Sequence, residues 1–140
     1  MAPVHSKLSA VIVTTPQVVA LMDAIKCLSF TRTVNLPVLG LIENMSGYVC
    51  PCCGEISNVF STGGGEEMAG REGIRFLGNM PVDTELVTLL DAAEIEPSGE
   101  SNEKASFELL QRYQKTSSAE LFQNIVNKII ENLPKVKRDA

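Results

Sequence analysis

The stretch LSAVIVTT, from Leu8 to Thr15, constrains the fold more than any other part of the sequence. It is β-branched and almost wholly apolar, so a strand made from it has to bury both faces. That is the situation inside a parallel sheet covered by helices. Thr15 can cap a helix whose first position is Pro16. Val18, Leu21, Met22, Ile25 and Leu28 then recur at helical spacing. The alternation continues along the chain. LPVLGLIENM (Leu36–Met45) reads as a second strand ending in the polar pair Glu43 and Asn44, and IRFLGNMP (Ile74–Pro81) as a third. Between them, Glu66–Glu72 reads as a short helix stopped by Gly73. Thr84–Leu90 reads as another short helix.

The final third is less regular. DAAEIEPSGESNEKA, residues 91–105, is acidic, small and broken by Pro and Gly, and is expected to be a flexible loop. A helix resumes around Phe107–Tyr113. Ser117 and Glu120 form a capping box ahead of a last helix. Leu121, Phe122, Ile125, Val126, Ile129, Ile130 and Leu133 give that helix one apolar stripe, and Pro134 stops it. Residues 134–140 form a polar tail. Strands alternating with helices imply an α/β fold with a mostly parallel sheet flanked by helices. Only three strands are visible, and the first begins almost at once. The expectation is therefore that residues 1–140 are part of a larger α/β domain, its C-terminal half.

Composition narrows the class of function. The 140 residues are 44% hydrophobic and 21% charged, with a net charge of -5, so nonspecific attraction to nucleic acid or to an anionic membrane is not expected. Charges or prolines interrupt every apolar run before it could span a bilayer. No small-residue cleavage pattern follows the N-terminal apolar segment, which argues against a secretory leader and for a cytoplasmic setting. Thiols stay reduced there, so clustered cysteines more often bind metal than pair with each other.

GYVCPCCGEISNVFSTGGGEE, from Gly47 to Glu67, holds three of the four cysteines. Cys50 and Cys53 have the C-x-x-C spacing that lets two thiolates from one turn reach a single metal, each at about 2.3 Å. Cys52 lies inside the turn and is read as a bystander. Cys27, on the first helix, is read as a small core residue, and His5, the only histidine, as a poor ligand candidate. A sulfur-liganded tetrahedral site needs four donors, so the count falls short by two. A second copy of the loop, brought in by a two-fold axis, would supply the others. Zinc and a [4Fe–4S] cluster both accept four cysteines, and the spacing does not choose between them. A redox C-x-x-C normally opens a helix. GEISNVF is strand-like, so that reading ranks below metal. The glycine run is not a phosphate loop, because Glu66 and Glu67 follow it where a Walker A motif needs Lys and Ser or Thr. It is expected to be a flexible turn into a helix.

Four segments taken together carry a resemblance: VIVTTPQ (Val11–Gln17), LGLIENMSGYVCPCCG (Leu39–Gly54), NVFSTGGGEEMA (Asn58–Ala69) and FLGNMPVD (Phe76–Asp83). In that order they resemble the Mrp/NBP-type P-loop ATPases, the deviant-Walker relatives of MinD and the nitrogenase iron protein. The wording around the cysteines is similar to the smaller, Cfd-type subunit of the eukaryotic cytosolic iron–sulfur scaffold. The resemblance implies a [4Fe–4S] cluster bridging two subunits through Cys50 and Cys53 of each, later passed to apoproteins. It implies a homodimer, or a hetero-oligomer with the larger scaffold ATPase subunit. It also implies a nucleotide site in which Asn44 contacts the adenine and Pro81, Val82 and Asp83 line the base. The family's Walker A motif, which holds ATP and Mg²⁺, is absent from the sequence, so the chain alone is not expected to hydrolyse ATP. The alternative reading is a zinc-stabilised dimerisation module without cluster transfer. Without the resemblance, Asn44 is a strand-end turn residue and Asp83 a helix cap.

Overall fold

A computed structural model describes residues 8–50, 52–57, 63–94, 109–116 and 118–133. The chain folds as β1 (Ala10–Thr14), α1 (Val18–Thr33), β2 (Val38–Val49), β3 (Ile56–Ser57), α2 (Gly64–Glu72), β4 (Phe76–Val82), α3 (Thr84–Glu94) and α4 (Ser118–Asn132). The α/β class and the mostly parallel sheet are as the sequence implies. β2 is central, with β1 parallel on one side and β4 parallel on the other. β3 pairs antiparallel with Tyr48 and Val49, beyond the end of β1.

One core forms where α1 and α2 meet the sheet. Ile12, Ala24, Leu28, Leu41, Met68 and Ala69 are buried there, with Leu21, Ile25, Val38, Ile74 and Phe76 packed around them. Arg32 ties α1 to α2, donating to the Glu72 carboxylate and to its carbonyl, both at 2.8 Å. α4 lies along β4, and Ile125 closes on Gly78 so tightly that a Cβ there would sit 3.0 Å from its side chain.

The structure corrects several expectations. α1 starts at Val18 rather than Pro16, with Gln17 in the cap position making no side-chain cap, while the Thr15 hydroxyl donates to the Gln17 side chain. Val18 and Met22 are exposed, because the helix turns Ala24, Leu28 and Thr31 to the sheet instead. Cys27 is exposed too, so it is not a core residue. α2 begins at Gly64, two residues before Glu66. α3 continues to Glu94, so residues 91–94 of the expected loop are helical. Residues 95–105, Ser117 and the tail 134–140 lie outside the described residues. The largest difference is in β2. It does not stop at Met45 but runs on to Val49, passing through positive φ at Met45 (57°) and Gly47 (94°). The register with β4 shifts between Asn44 and Tyr48 to absorb the extra residues.

Candidate functional site

The extension of β2 decides where the cysteines go. β2 and β3 make a hairpin, with Cys50, Cys52, Cys53 and Gly54 at its tip. The Cys50 N–H donates to the Glu55 carbonyl (2.9 Å), and the Gly54 N–H donates to the Cys50 carbonyl (2.8 Å). Gly54 has φ 71°, the left-handed conformation that favours glycine at such a turn. Cys50 is half-buried and Cys52 and Cys53 are exposed, all as free thiols. The strand-like reading of GEISNVF holds at Ile56 and Ser57. Hydrogen bonding from the Cys52 amide, then from the Cys53 amide and thiol, holds the Cys50 thiol below its ordinary value. A thiolate is the form that binds metal. Among the described residues, no three His, Cys, Asp or Glu side chains gather as a metal-binding group. A metal on Cys50 and Cys53 would need donors from elsewhere.

The candidate nucleotide residues lie on the neighbouring strands β2 and β4, with Asp83 just after β4. Asn44 is the register partner of Met80, so it sits beside the chain that leads into Pro81, Val82 and Asp83. This is the carboxyl end of the parallel strands, where open α/β sheets place their ligands. Asn44 is exposed and its Oδ1 accepts the Met45 N–H at 2.9 Å. Pro81 and Asp83 are buried and Val82 is half-buried. The Asp83 carboxylate is engaged at both oxygens. Oδ1 accepts from the N–H groups of Glu85 (3.0 Å) and Leu86 (3.1 Å), capping α3, and Oδ2 accepts from the Ser118 hydroxyl at 2.6 Å. Burial alone would raise its pKa, but the bonds from Ser118, Leu86 and Glu85 outweigh it and the net shift is downward.

Glu43 is the residue that sequence reasoning missed. It is 1% exposed. Its Oε1 accepts from the Ser46 hydroxyl (2.6 Å) and the Gly63 N–H (3.2 Å), and its Oε2 from the Gly65 N–H (2.6 Å). The glycine run is therefore tied down rather than a free turn. It does cradle an anion at a helix N-terminus, and the anion is the chain's own carboxylate. Gly65 allows this approach, since a Cβ there would lie 2.9 Å from Glu43 Oε2. The available signal was a carboxylate ending an apolar strand, with a glycine run further on to receive it.

The chain is 58% identical over 86 residues to the cytosolic Fe-S cluster assembly factor CFD1 of Mycosarcoma maydis, covering 61% of this chain and 24% of that protein. It is 55% identical over 87 residues to the cytosolic Fe-S cluster assembly factor NUBP2 of Bos taurus, covering 62% of this chain and 32% of that one. It thus spans about a quarter to a third of the length of these curated relatives. A nucleotide-binding protein of Archaeoglobus fulgidus, solved in complex with ADP and with Co, superposes with TM-score 0.50 at 34% identity over 57% of this chain and 33% of its own. The cell division ATPase MinD of Pyrococcus furiosus shares the fold over 91% of this chain and 44% of its own, with TM-score 0.55 at 16% identity. The family described as NUBPL iron-transfer P-loop NTPase matches residues 2–130, which take in the sheet, the cysteine hairpin and the glycine run, and it is to this family of P-loop NTPases that the chain belongs.

Proposed function

We propose that this chain serves in cytosolic iron–sulfur cluster assembly, with Cys50 and Cys53 supplying half the thiolates of a [4Fe–4S] cluster carried between two subunits. The observation that carries the reading is the hairpin tip. It carries the half-buried Cys50 beside the exposed Cys53, with backbone amides favouring the thiolate of Cys50. Relatives that are 58% and 55% identical over part of the chain are named as cytosolic Fe-S cluster assembly factors. The cluster is cargo: two cysteines from each subunit suffice to hold it, and exposure leaves it open to capture by an apoprotein's thiols. The second subunit is another copy of the chain or the larger scaffold ATPase.

The nucleotide part of the reading rests on Asn44 and on Pro81, Val82 and Asp83, at the carboxyl end of the sheet. A relative at 34% identity carries ADP. A carboxamide offers both a donor and an acceptor to a purine edge. With its carboxylate committed to α3 and Ser118, Asp83 acts there by fixing the chain's exit from β4. ATP and Mg²⁺ belong, in this reading, to the complete family domain.

Anaerobic reconstitution with iron and sulfide tests the proposal. A brown, oxygen-sensitive protein with about four iron atoms per dimer is expected. Cys50→Ser and Cys53→Ser should abolish the colour, and Cys52→Ser should retain it. Retention of zinc alone, stable in air, would replace the scaffold by a zinc-held dimer. Loss of the cluster in Cys52→Ser but not in Cys53→Ser would reassign the ligands within the loop.

A further inference from the structure

We infer that Glu43 is a positioning residue for the cysteine pair, fixing the hairpin through one buried carboxylate; this rests on the cluster-scaffold reading above. Three facts lead to it. First, Glu43 is buried in the central strand, with Thr14 of β1 and Asn79 of β4 as its register partners. Second, neither of the ion pairs among the described residues involves it; its charge is met by the Ser46 hydroxyl and the amides of Gly63 and Gly65 at the start of α2. A buried carboxylate held only by oriented donors constrains where those donors sit. Third, the bond from Ser46 closes over Met45, inside the distortion that sends β2 on towards the cysteines. Met45 stands at φ 57° and Gly47 at φ 94°, and pairing with β4 resumes only at Tyr48. A non-glycine residue at positive φ persists only where its surroundings hold it. Glu43 supplies that hold.

The carboxylate thus joins the strand end that aims the hairpin to the N-terminus of α2. Cys50 lies four residues beyond Ser46, and its backbone is closed into the tip by the bonds to Glu55 and from Gly54. Loosening the Glu43–Ser46 bond frees the strand end, and the tip with it, while leaving the thiols themselves intact. Glu43 touches no ligand in this scheme. It acts through the backbone it orients, as outer-shell partners do for metal-binding side chains.

The test uses the full chain with Glu43→Gln, which keeps the shape but turns an amide donor towards the Gly65 or Ser46 side. After reconstitution with iron and sulfide, iron release to a chelator should quicken by about tenfold, and the EPR signal of the reduced cluster should change shape. Phenylarsine oxide, which bridges two nearby thiols, serves as a metal-free probe and should bind the variant more weakly than wild type. If wild type takes up no cluster, the scaffold reading fails while the arsenical still reports on the cysteine pair. If Glu43→Gln is folded by circular dichroism and matches wild type in release, spectrum and arsenical binding, the inference is overturned. Should Glu43→Gln not fold, Ser46→Ala decides, since it deletes only the hydroxyl. Faster release and weaker arsenical binding support the role, and unchanged values refute it.

Discussion

Two glycines in α2 give opposite expectations for the same substitution. At Gly65 an added Cβ would lie 2.9 Å from Glu43 Oε2, 3.1 Å from Glu43 Cβ and 3.2 Å from Leu41 Cδ2. None of these can move freely, because Glu43 is held by three donors and Leu41 is fully buried. Gly65→Ala should cost about 1–3 kcal/mol through overpacking. At Gly70, in the same helix, a Cβ meets nothing within 4 Å. Gly70→Ala should gain about 0.5–1 kcal/mol, because alanine loses less backbone freedom on entering a helix. Denaturant unfolding of the two variants checks both signs. The contrast also marks the limit of sequence reading at this scale. The C-x-x-C pair was legible because its two ligands are neighbours in the chain. Glu43 was not, because its donors at Gly63 and Gly65 come from 20 and 22 residues away. An acidic residue at a strand end gives no local sign of whether solvent or a distant amide will meet it.

At the scale of elements, Asp83 joins three of them. It ends β4, caps α3 and receives the hydroxyl of Ser118, which is wholly buried at the start of α4. A cap for α3 was legible from Asp83 followed by Thr84. The tie to α4 was not, because 35 residues separate Asp83 from Ser118. The folded pKa of Asp83 is lowered, so its contribution is present above the unfolded value, about 3.9. It is lost as pH falls from there through the folded value. Asp83→Asn keeps an acceptor for the cap but cannot titrate. It should unfold at a midpoint that falls less steeply below about pH 4 than that of wild type. Asp83→Ala should cost about 1–3 kcal/mol at neutral pH, by removing the cap and orphaning the Ser118 hydroxyl. Parallel slopes for wild type and Asp83→Asn on the acid side would remove Asp83 from the account. Helix α1 shows why its buried face was harder to read than its existence. Apolar residues lie on several sides of it, so spacing identified a helix but not which of Val18, Met22, Ala24 or Leu28 would meet the sheet.

For the whole molecule, the consequential feature is the outer side of β1. One side of this strand pairs with β2, and among the described residues no strand pairs with the other. Beside that edge, Val13 is 58% exposed on the face opposite Ile12 and Thr14, and Phe30 of α1 is 64% exposed. Both line an open groove of about 760 Å³ that also takes in Ile12, Ala24 and Cys27. The apolar character of Leu8–Thr15 signals a strand meant to be buried on both faces, yet β1 here is an edge. An unpaired, hydrophobic edge strand is a template for association with another chain. Metal-free, reduced protein is therefore expected to self-associate as its concentration rises, apart from any pairing through the cysteines. Val13→Lys places a charge on the exposed face without touching Ile12 or Thr14, the buried residues on either side. It should shift the protein towards monomer in light scattering and leave the thermal midpoint within a few degrees of wild type, since an exposed side chain contributes little packing. Wild type that stays monomeric and unfolds in one sharp transition at every concentration would mean that the edge is already covered. Val13→Lys should in that case lower the midpoint, because the charge would then be forced into a buried contact.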